Sequence, residues 1–207
     1  MAQYFQIHPT HPQPRLIKRT VDIVRTGGVI AYPTDSSYAL GCHIGDKQAM
    51  ECIRRIRRVD DHHNFTLVCR DLSEVAQYAR VSNAEYRLLK ANTPGPYTFI
   101  LPATREVPRR LQHPKRKTIG LRVPDHVIAQ ALLTELGEPL MSSTLILPGE
   151  ELPLSDPEEI RDRLEHEVDL VVDGGFCGLE PTTVVELENG RATLTRQGKG
   201  DNDRFTI

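Results

Sequence analysis

Tryptophan is absent from the 207-residue sequence, and only five phenylalanines and three methionines are present. No stretch approaches the ~18 consecutive apolar residues that a membrane-spanning helix needs. Residues 1–14 do not combine a basic start with an apolar run, as a secretory signal peptide would. We therefore expect a cytoplasmic protein without a membrane partner.

Disulfide and metal signatures are missing as well. The four cysteines form no Cys-x-x-Cys pair and have apolar neighbours, so we predict buried free thiols at Cys42, Cys52, Cys69 and Cys177. Adjacent His62 and His63 have no further ligand nearby, and we interpret them as structural or solvent-facing residues. We therefore predict no metal site.

The formal net charge is only −2, from 26 basic and 28 acidic residues, but the charges are unevenly placed. Four arginines fall within residues 54–58, further cations lie between 105 and 122, and acidic residues gather between 150 and 167. This segregation indicates either a positive face for nucleic acid or a solvated face with scattered counter-charges. The sequence alone leaves both alternatives open.

Short β-rich segments alternate with amphipathic ones, which predicts an α/β fold. We predict helices over 16–26, 46–58, 73–78, 82–91, 127–135 and 157–165. We predict strand segments over 29–32, 65–69, 97–102, 118–123, 140–147, 170–172, 183–187 and 192–196, forming a sheet of about seven strands. A single domain is expected over 1–207, with its core over about 14–200 and a polar, mobile tail over 199–207.

No nucleophile with a partner base and no glycine-rich phosphate loop of a standard kind is present. Residues 33–38 nevertheless place three hydroxyls and a carboxylate at the end of a predicted strand, where open α/β sheets bind ligands. Thr34 and Ser36 either cap a helix or contact that ligand. Arg122 and Arg196 lie in or beside predicted strands, where an unpaired charge is costly if buried. Each arginine therefore meets an acid or faces an anion.

Six segments resemble one known family. Pro33-Thr34-Asp35-Ser36-Ser37-Tyr38-Ala39-Leu40-Gly41 resembles the Pro-Thr-Asp/Glu-Thr-x-Tyr-Gly-Leu-Gly segment of the Sua5/YciO/YrdC family. Pro94-Gly95-Pro96-Tyr97-Thr98 is similar to that family's Pro-Gly-Pro-x-Thr. Further matching blocks follow in order at 118–126, 168–175, 181–186 and 196–198, so the resemblance spans about 16–198.

Enzymes of this family join threonine, bicarbonate and ATP into threonylcarbamoyl-adenylate, the donor for a modified adenosine in tRNA. The resemblance implies a single YrdC-like domain, in which a twisted open mixed β-sheet with flanking helices forms a positively charged concave surface. It places Thr34, Arg122 and Thr182 by the amino-acid substrate, and Thr98, Thr144 and Arg196 by the nucleotide. We assign Ser36, Arg57 and Ser143 to the same substrate and nucleotide site. No cofactor is expected other than ATP with Mg²⁺ as substrate.

The sequence departs from the synthases at this site. Their Lys-x-Arg pair aligns with Arg57-Arg58-Val59, which lacks the second cation, and their Ser-x-Asn aligns with Thr144-Leu145-Ile146, which lacks the amide. Their Lys-Pro aligns with His63-Asn64. Losing a phosphate cation or a preorganised donor typically costs ~3 kcal/mol or more of transition-state stabilisation. These departures are typical of the YciO branch of the family and predict a degenerate synthase site.

Three hypotheses for function follow. The first is a protein that binds double-stranded or structured RNA, such as tRNA or rRNA, and a nucleotide or other small ligand. The cations that we expect to bind RNA are Arg54, Arg55, Arg58, Arg109, Arg110, Lys115, Arg116 and Lys117. The second is a weak threonylcarbamoyl-adenylate synthase linked to tRNA modification. The third is a regulatory or assembly role with a partner protein.

Overall fold

The computed structural model of the chain describes residues 1–60, 63–203 and 205. These ranges contain six α-helices: Pro14–Arg25 (α1), Lys47–Arg57 (α2), Leu72–Tyr78 (α3), Asn83–Asn92 (α4), Val127–Leu136 (α5) and Pro157–Leu164 (α6). They contain ten strands: Gln3–Gln6 (β1), Ile30–Tyr32 (β2), Ala39–His43 (β3), Thr66–Val68 (β4), Tyr97–Pro102 (β5), Thr118–Arg122 (β6), Leu140–Thr144 (β7), Leu170–Asp173 (β8), Thr183–Glu188 (β9) and Arg191–Arg196 (β10). A 3₁₀ turn covers Arg109–Leu111.

All ten strands join one open, twisted sheet in the order β1-β8-β2-β3-β7-β4-β6-β5-β9-β10. Four neighbouring pairs are parallel (β1 with β8, β2 with β8, β4 with β6, and β5 with β9), and the other five are antiparallel. The sheet is therefore mixed, and the predicted α/β class with a twisted open mixed sheet is confirmed.

Local capping explains where several helices begin and end. The Asp46 carboxylate accepts the Ala49 amide at 2.9 Å, so α2 starts where the sequence predicts. Ser82 and Glu85 form a complete capping box at the start of α4. Gly137, with φ +76°, ends α5 in a left-handed conformation that glycine adopts without steric cost.

Side-chain alternation gives the sheet two different faces. On one face, residues such as Leu40, Phe99 and Leu121 form an apolar cluster with side chains of α2, α3, α4 and α6. On the other face, α1 and α5 pack against residues such as Tyr32 and Val172. Within the described residues, none from β5, β6 or β9 belongs to this second cluster. Part of the second face therefore lies outside the cover of α1 and α5.

The expected sheet of about seven strands is too small, because β1 and β3 were missed. β1 is short and polar at its ends, yet it pairs with β8 from Gln3 opposite Leu170 to Gln6 opposite Asp173. β3 is built from small and weakly β-forming residues, and its pairing with β2 and β7 compensates for that composition. The strand predicted over 140–147 ends at Thr144.

The expected core limits of 14 and 200 are also too narrow. β1 precedes the first limit, and Phe205 follows the second. Phe205 is buried, and its ring lies 5.8 Å from that of Tyr97 and 6.4 Å from that of Phe99. The Tyr97 hydroxyl also donates to the carbonyl of Asp201 at 3.0 Å. Described residues of the polar tail are thus packed against β5.

The prediction for the cysteines is correct for their free state but wrong for the burial of two of them. All four are free thiols, and Cys42 and Cys69 are buried. Cys52 and Cys177 are half-buried, because each lies near the surface with its sulfur directed to a backbone carbonyl, of Glu167 and Thr34 respectively. Among the described residues, no helix has the length and apolarity needed to cross a membrane.

Candidate functional site

A cavity of about 520 Å³ lies on the second face of the sheet. Its floor consists of every second residue of neighbouring strands, because alternate side chains of a strand point to the same face. The floor residues are Thr66 and Val68 of β4, Thr98 and Ile100 of β5, Thr118, Gly120 and Arg122 of β6, and Ser142 and Thr144 of β7. The volume falls within the ~300–1,000 Å³ range of small-molecule sites.

Positive charge and hydroxyl groups dominate the cavity wall. The lining includes four arginines, Arg57, Arg116, Arg122 and Arg196, and no aspartate or glutamate among the described residues. The described lining contains nine threonine or serine residues: Ser37, Thr66, Thr98, Thr118, Ser142, Ser143, Thr144, Thr182 and Thr195. Guanidinium groups bind carboxylates and phosphates through paired hydrogen bonds, and hydroxyls orient polar ligands without adding charge. The cavity therefore suits an anionic ligand.

Arg122 meets an acid within the protein. Its Nη2 donates to the Asp35 carboxylate and, at 3.2 Å, to the Thr34 hydroxyl. The side chains of Arg122 and Asp35 are only 9% and 10% exposed. The other Asp35 oxygen accepts the Asp125 amide at 3.1 Å. The first of the two alternatives for Arg122 thus holds, although its buried Nε has no hydrogen-bond partner in the described chain.

Replacing Asp35 should reveal how much this pair stabilises the fold. In Asp35→Asn the buried Arg122 loses its counter-charge, so we expect the free energy of unfolding to fall by about 3 kcal/mol in urea denaturation. The control is Glu150→Gln, which breaks an exposed pair with Arg163 (3.1 Å) and should change stability by less than ~1 kcal/mol. Equal losses in both variants would contradict a structural role for the Asp35 pair.

Arg196 is in the other situation. Its guanidinium donates to the carbonyl of Thr182 through Nε (3.2 Å) and Nη2 (2.9 Å), and no carboxylate of the described residues pairs with it. The Thr182 hydroxyl lies 2.8 Å from the Thr98 hydroxyl. Arg196, Thr182 and Thr98 therefore form one polar group at the β5 and β9 side of the cavity. Arg196 is exposed to solvent, so the second alternative, an arginine that faces an anion, stays a prediction for it.

On the opposite side, Arg57, His63 and Ser143 form a second polar group. Arg57 Nη1 lies 2.5 Å from the Ser143 hydroxyl and 3.0 Å from His63 Nε2. The Ser143 hydroxyl lies 2.9 Å from His63 Nε2. Burial and the neighbouring Arg57 guanidinium lower the pKa of His63 to about 4, so this histidine is neutral at physiological pH. Burial also lowers the pKa of Arg57, and none of the described carboxylates pairs with this guanidinium. Arg57 thus remains the cation of this group.

The lowered pKa of His63 predicts a specific dependence of stability on pH. Below pH 6.5 the unfolded chain protonates this histidine, whereas the folded chain does so only near pH 4. The unfolded state therefore binds more protons in this window, and stability falls as the pH falls. We expect the stability of the protein relative to His63→Gln to decrease steadily from pH 6.5 to pH 4. A constant difference, measured by denaturation at each pH, would rule out a neutral His63.

The cavity brings together seven of the nine residues predicted for the substrate and nucleotide site: Arg57, Thr98, Arg122, Ser143, Thr144, Thr182 and Arg196. Thr34 and Ser36 do not line it. Thr34 accepts the amides of Ser36 and Ser37 at 3.2 Å and donates to the Ser37 carbonyl at 2.6 Å, so it shapes a turn and caps no helix. The hydroxyl of Ser36 is buried beside that of Thr34.

Sequence reasoning missed several residues of the cavity. His63, which was interpreted as structural or solvent-facing, lines the cavity and contacts Arg57 and Ser143 there. His62 lies outside the described residues. His113 and Ile146 also line the cavity. The alternating hydroxyls of the strands, such as Thr66 and Ser142, carried a usable signal, because hydroxyls at every second position of buried strands indicate a polar face.

The eight cations predicted to contact RNA fall into two groups. Four have partners within the protein: Arg54 pairs with Glu51 (2.6 Å), Arg55 with Glu167 (3.8 Å) and Arg116 with Glu186 (2.5 Å), and Arg110 donates to the carbonyl of Gly45. In the described part of the chain, the other four form no ion pair: Arg58, Arg109, Lys115 and Lys117. Arg54 is moreover buried, since it packs its guanidinium over the Phe65 ring. The predicted RNA-binding set is therefore only partly available to a ligand.

Comparison with known proteins agrees with this architecture. Residues 22–198 match the family model Sua5_yciO_yrdC, described as telomere recombination. The chain belongs to the Sua5/YciO/YrdC family. The protein YciO of Escherichia coli K12 is 61% identical over 205 residues, 99% of this chain and all of YciO. The crystal structure of E. coli YciO superimposes with a TM-score of 0.96 at 60% identity, covering 100% of both chains.

More distant members of the Sua5/YciO/YrdC family carry names that refer to an activity. A protein of Chromobacterium violaceum named threonylcarbamoyl-AMP synthase is 34% identical over 185 residues, 88% of this chain and 94% of that protein. The crystal structure of P. abyssi Sua5 complexed with L-threonine has a TM-score of 0.86 at 22% identity and covers 94% of this chain and 57% of that one. At this identity the second likeness shows the shared fold alone.

Proposed function

We propose that the cavity binds a nucleotide of the ATP type together with a small amino-acid-like ligand. The observation that carries this proposal is a pocket lined by four arginines and no described carboxylate, with Arg57 and Arg196 lacking an acidic partner. Two uncompensated guanidiniums on opposite sides of one pocket favour a ligand with several negative charges. A triphosphate supplies those charges.

The two sides of the cavity contact different parts of this ligand. Arg196, Thr98 and Thr182 offer one guanidinium and two hydroxyls to the nucleotide, and Arg57 offers the second cation to its phosphates. Arg122 retains an unpartnered Nε beside the Asp35 pair, which supports a carboxylate ligand at that point. Since the lining contains no described carboxylate, a magnesium ion would enter with the triphosphate, held by phosphate oxygens and water. None of the described residues forms a group of three or more histidine, cysteine, aspartate or glutamate side chains that could hold a metal ion.

We further propose that adenylate synthesis is weakened at this site. The family relatives named threonylcarbamoyl-AMP synthase support the chemistry. However, the half-buried Ile146 side chain lines the cavity where those enzymes carry an amide, and Val59 does not line it at all. An alkyl group cannot donate a hydrogen bond to the charge that develops on the α-phosphate and the leaving pyrophosphate during adenylyl transfer. We therefore expect the site to bind a nucleotide but to synthesise the adenylate slowly.

Native mass spectrometry of the purified protein tests nucleotide retention. We expect an added mass equal to an adenine nucleotide, or to an adenylate, after mild purification and after loading with ATP. Arg196→Gln should lose most of that mass, because it removes one of the two uncompensated guanidiniums. A protein that shows no nucleotide mass at any loading concentration would overturn the proposal.

A second candidate function, binding of structured RNA, is favoured by the four predicted cations that have no ion-pair partner among the described residues, Arg58, Arg109, Lys115 and Lys117. The net charge of the protein is −2, so these four cations are not part of a general excess of positive charge. Binding to phosphates releases counterions, so the logarithm of the affinity should fall linearly with the logarithm of the salt concentration. An RNA hairpin that binds with no such dependence would contradict this function.

A further inference from the structure

A second cleft, of about 600 Å³, lies at the end of β5 and β6. Four of its lining residues are cations, and none of them forms an ion pair within the described residues: Arg80, Arg105, Arg109 and Lys117. We call this set the basic cleft. None of the described residues that line it is acidic, and Glu106, which lies between Arg105 and Arg109 in the chain, does not line it. Arg80 and Arg105 belong to no motif in the sequence.

Backbone hydrogen bonds position the cations of the basic cleft at the end of β5. The Arg80 amide donates to the Pro102 carbonyl at 2.8 Å, and the Ala103 amide donates to the Lys117 carbonyl at 2.9 Å. Arg80 and Lys117 are therefore both fixed next to the same short stretch of chain. Lys117 also has φ +56°, a left-handed conformation that is unfavourable for lysine and for which glycine is the usual choice. Lysine thus occupies position 117 although this backbone conformation is unfavourable for it.

The basic cleft adjoins the nucleotide cavity. Residues 112–118 separate the two, since Gln112 and Lys117 line the cleft, whereas His113, Arg116 and Thr118 line the cavity. All four cations of the cleft are exposed. A single small anion gains little from exposed cations, because water screens each of them, whereas a chain of phosphates sums the release of counterions over every contact.

We propose that the basic cleft binds consecutive backbone phosphates of an RNA and so holds that RNA beside the nucleotide cavity. This inference rests on the RNA-binding function stated above and assigns it a location, with Arg80 and Arg105 as new contact residues. Contacts of exposed cations with phosphates position a nucleic acid without reading its sequence. The cleft therefore accepts structured RNA of many sequences.

The test is the salt dependence of binding to a fluorescently labelled RNA hairpin. Arg80→Gln/Arg105→Gln should bind about tenfold more weakly at low salt, and the slope of log affinity against log salt should become shallower by about 2. The matched control is Arg15→Gln/Arg87→Gln, which removes the same charge from two exposed arginines outside both sites. The control should keep the slope of the unmodified protein.

Each outcome decides a different point. Equal slopes in the two double variants would overturn the location while leaving RNA binding intact, and an unmodified protein without RNA affinity would overturn both. Nucleotide affinity, measured on the same samples, should be unchanged in the cleft variant.

The variant Lys117→Gly separates the effect of the lost charge from an effect on folding. It should melt at a higher temperature, because glycine relieves the left-handed backbone, and still bind RNA more weakly. Lower RNA affinity with a lower melting temperature would contradict this prediction.

Discussion

The double variant Arg57→Gln/Arg196→Gln should bind ATP at least ~100-fold more weakly than the unmodified protein. A hydrogen bond to a charged group contributes about 1.5–3 kcal/mol, and the variant removes one charged donor from each side of the cavity. Neither arginine stabilises the fold through a described carboxylate, so the loss should appear in binding more than in stability. Calorimetric titration measures it directly.

The chain offers a closely matched control for this variant. Arg55 lies on α2 with Arg57, and Arg191 lies on β10 with Arg196, but neither of these two arginines lines the cavity. Arg55→Gln/Arg191→Gln therefore makes the same change in charge on the same two elements. We expect its ATP affinity to stay within a factor of about two of the unmodified protein, because neither guanidinium lines the cavity and distant charges are screened by salt. A comparable loss in both variants would mean that ATP binds by general charge and not in the cavity.

Ile146→Asn should raise the rate of pyrophosphate release from ATP, threonine and bicarbonate by about 100-fold. One preorganised donor at a site of developing charge is typically worth a factor of ~10²–10³. The Ile146 side chain lines the cavity, and the backbone carbonyl of Ile146 accepts from Arg57 Nε at 3.4 Å. A side-chain amide at position 146 would therefore lie beside Arg57, which we propose to bind the phosphates.

Ile146→Leu is the control, because it keeps the size and the apolar character of the side chain. It should leave the rate unchanged. If the asparagine variant gains nothing over the leucine variant, while both bind ATP normally, the missing amide is not what limits the chemistry. That result would overturn the assignment of a degenerate synthase site.

Sequence patterns anticipated much of the fold, because local signals define most of its elements. Capping residues such as Asp46 and Ser82 act on amides three positions away, and the span of β5 was predicted without error. β3 could not be recognised in this way. Its stability comes from pairing with β7, about a hundred residues later in the chain, and not from its own composition.

The candidate site was predictable only to the level of residue types. Sequence alone left Arg122 and Arg196 in the same two alternatives, and the structure separates them through Asp35, 87 positions from Arg122. The Arg54 pair with Glu51 is a helical contact at i,i+3 that spacing can suggest, whereas the Arg116 pair with Glu186 joins residues 70 positions apart. Which cations remain free for a ligand therefore depends on tertiary contacts.

The most direct test of the nucleotide cavity is a crystal structure of the protein with a non-hydrolysable ATP analogue. We predict that the analogue occupies the cavity over β5, β6 and β7, with its phosphates within hydrogen-bond distance of Arg57 and Arg196 and its nucleoside beside Thr98. An analogue bound outside this cavity, or an empty cavity at saturating concentration, would contradict nucleotide binding as the function of the site.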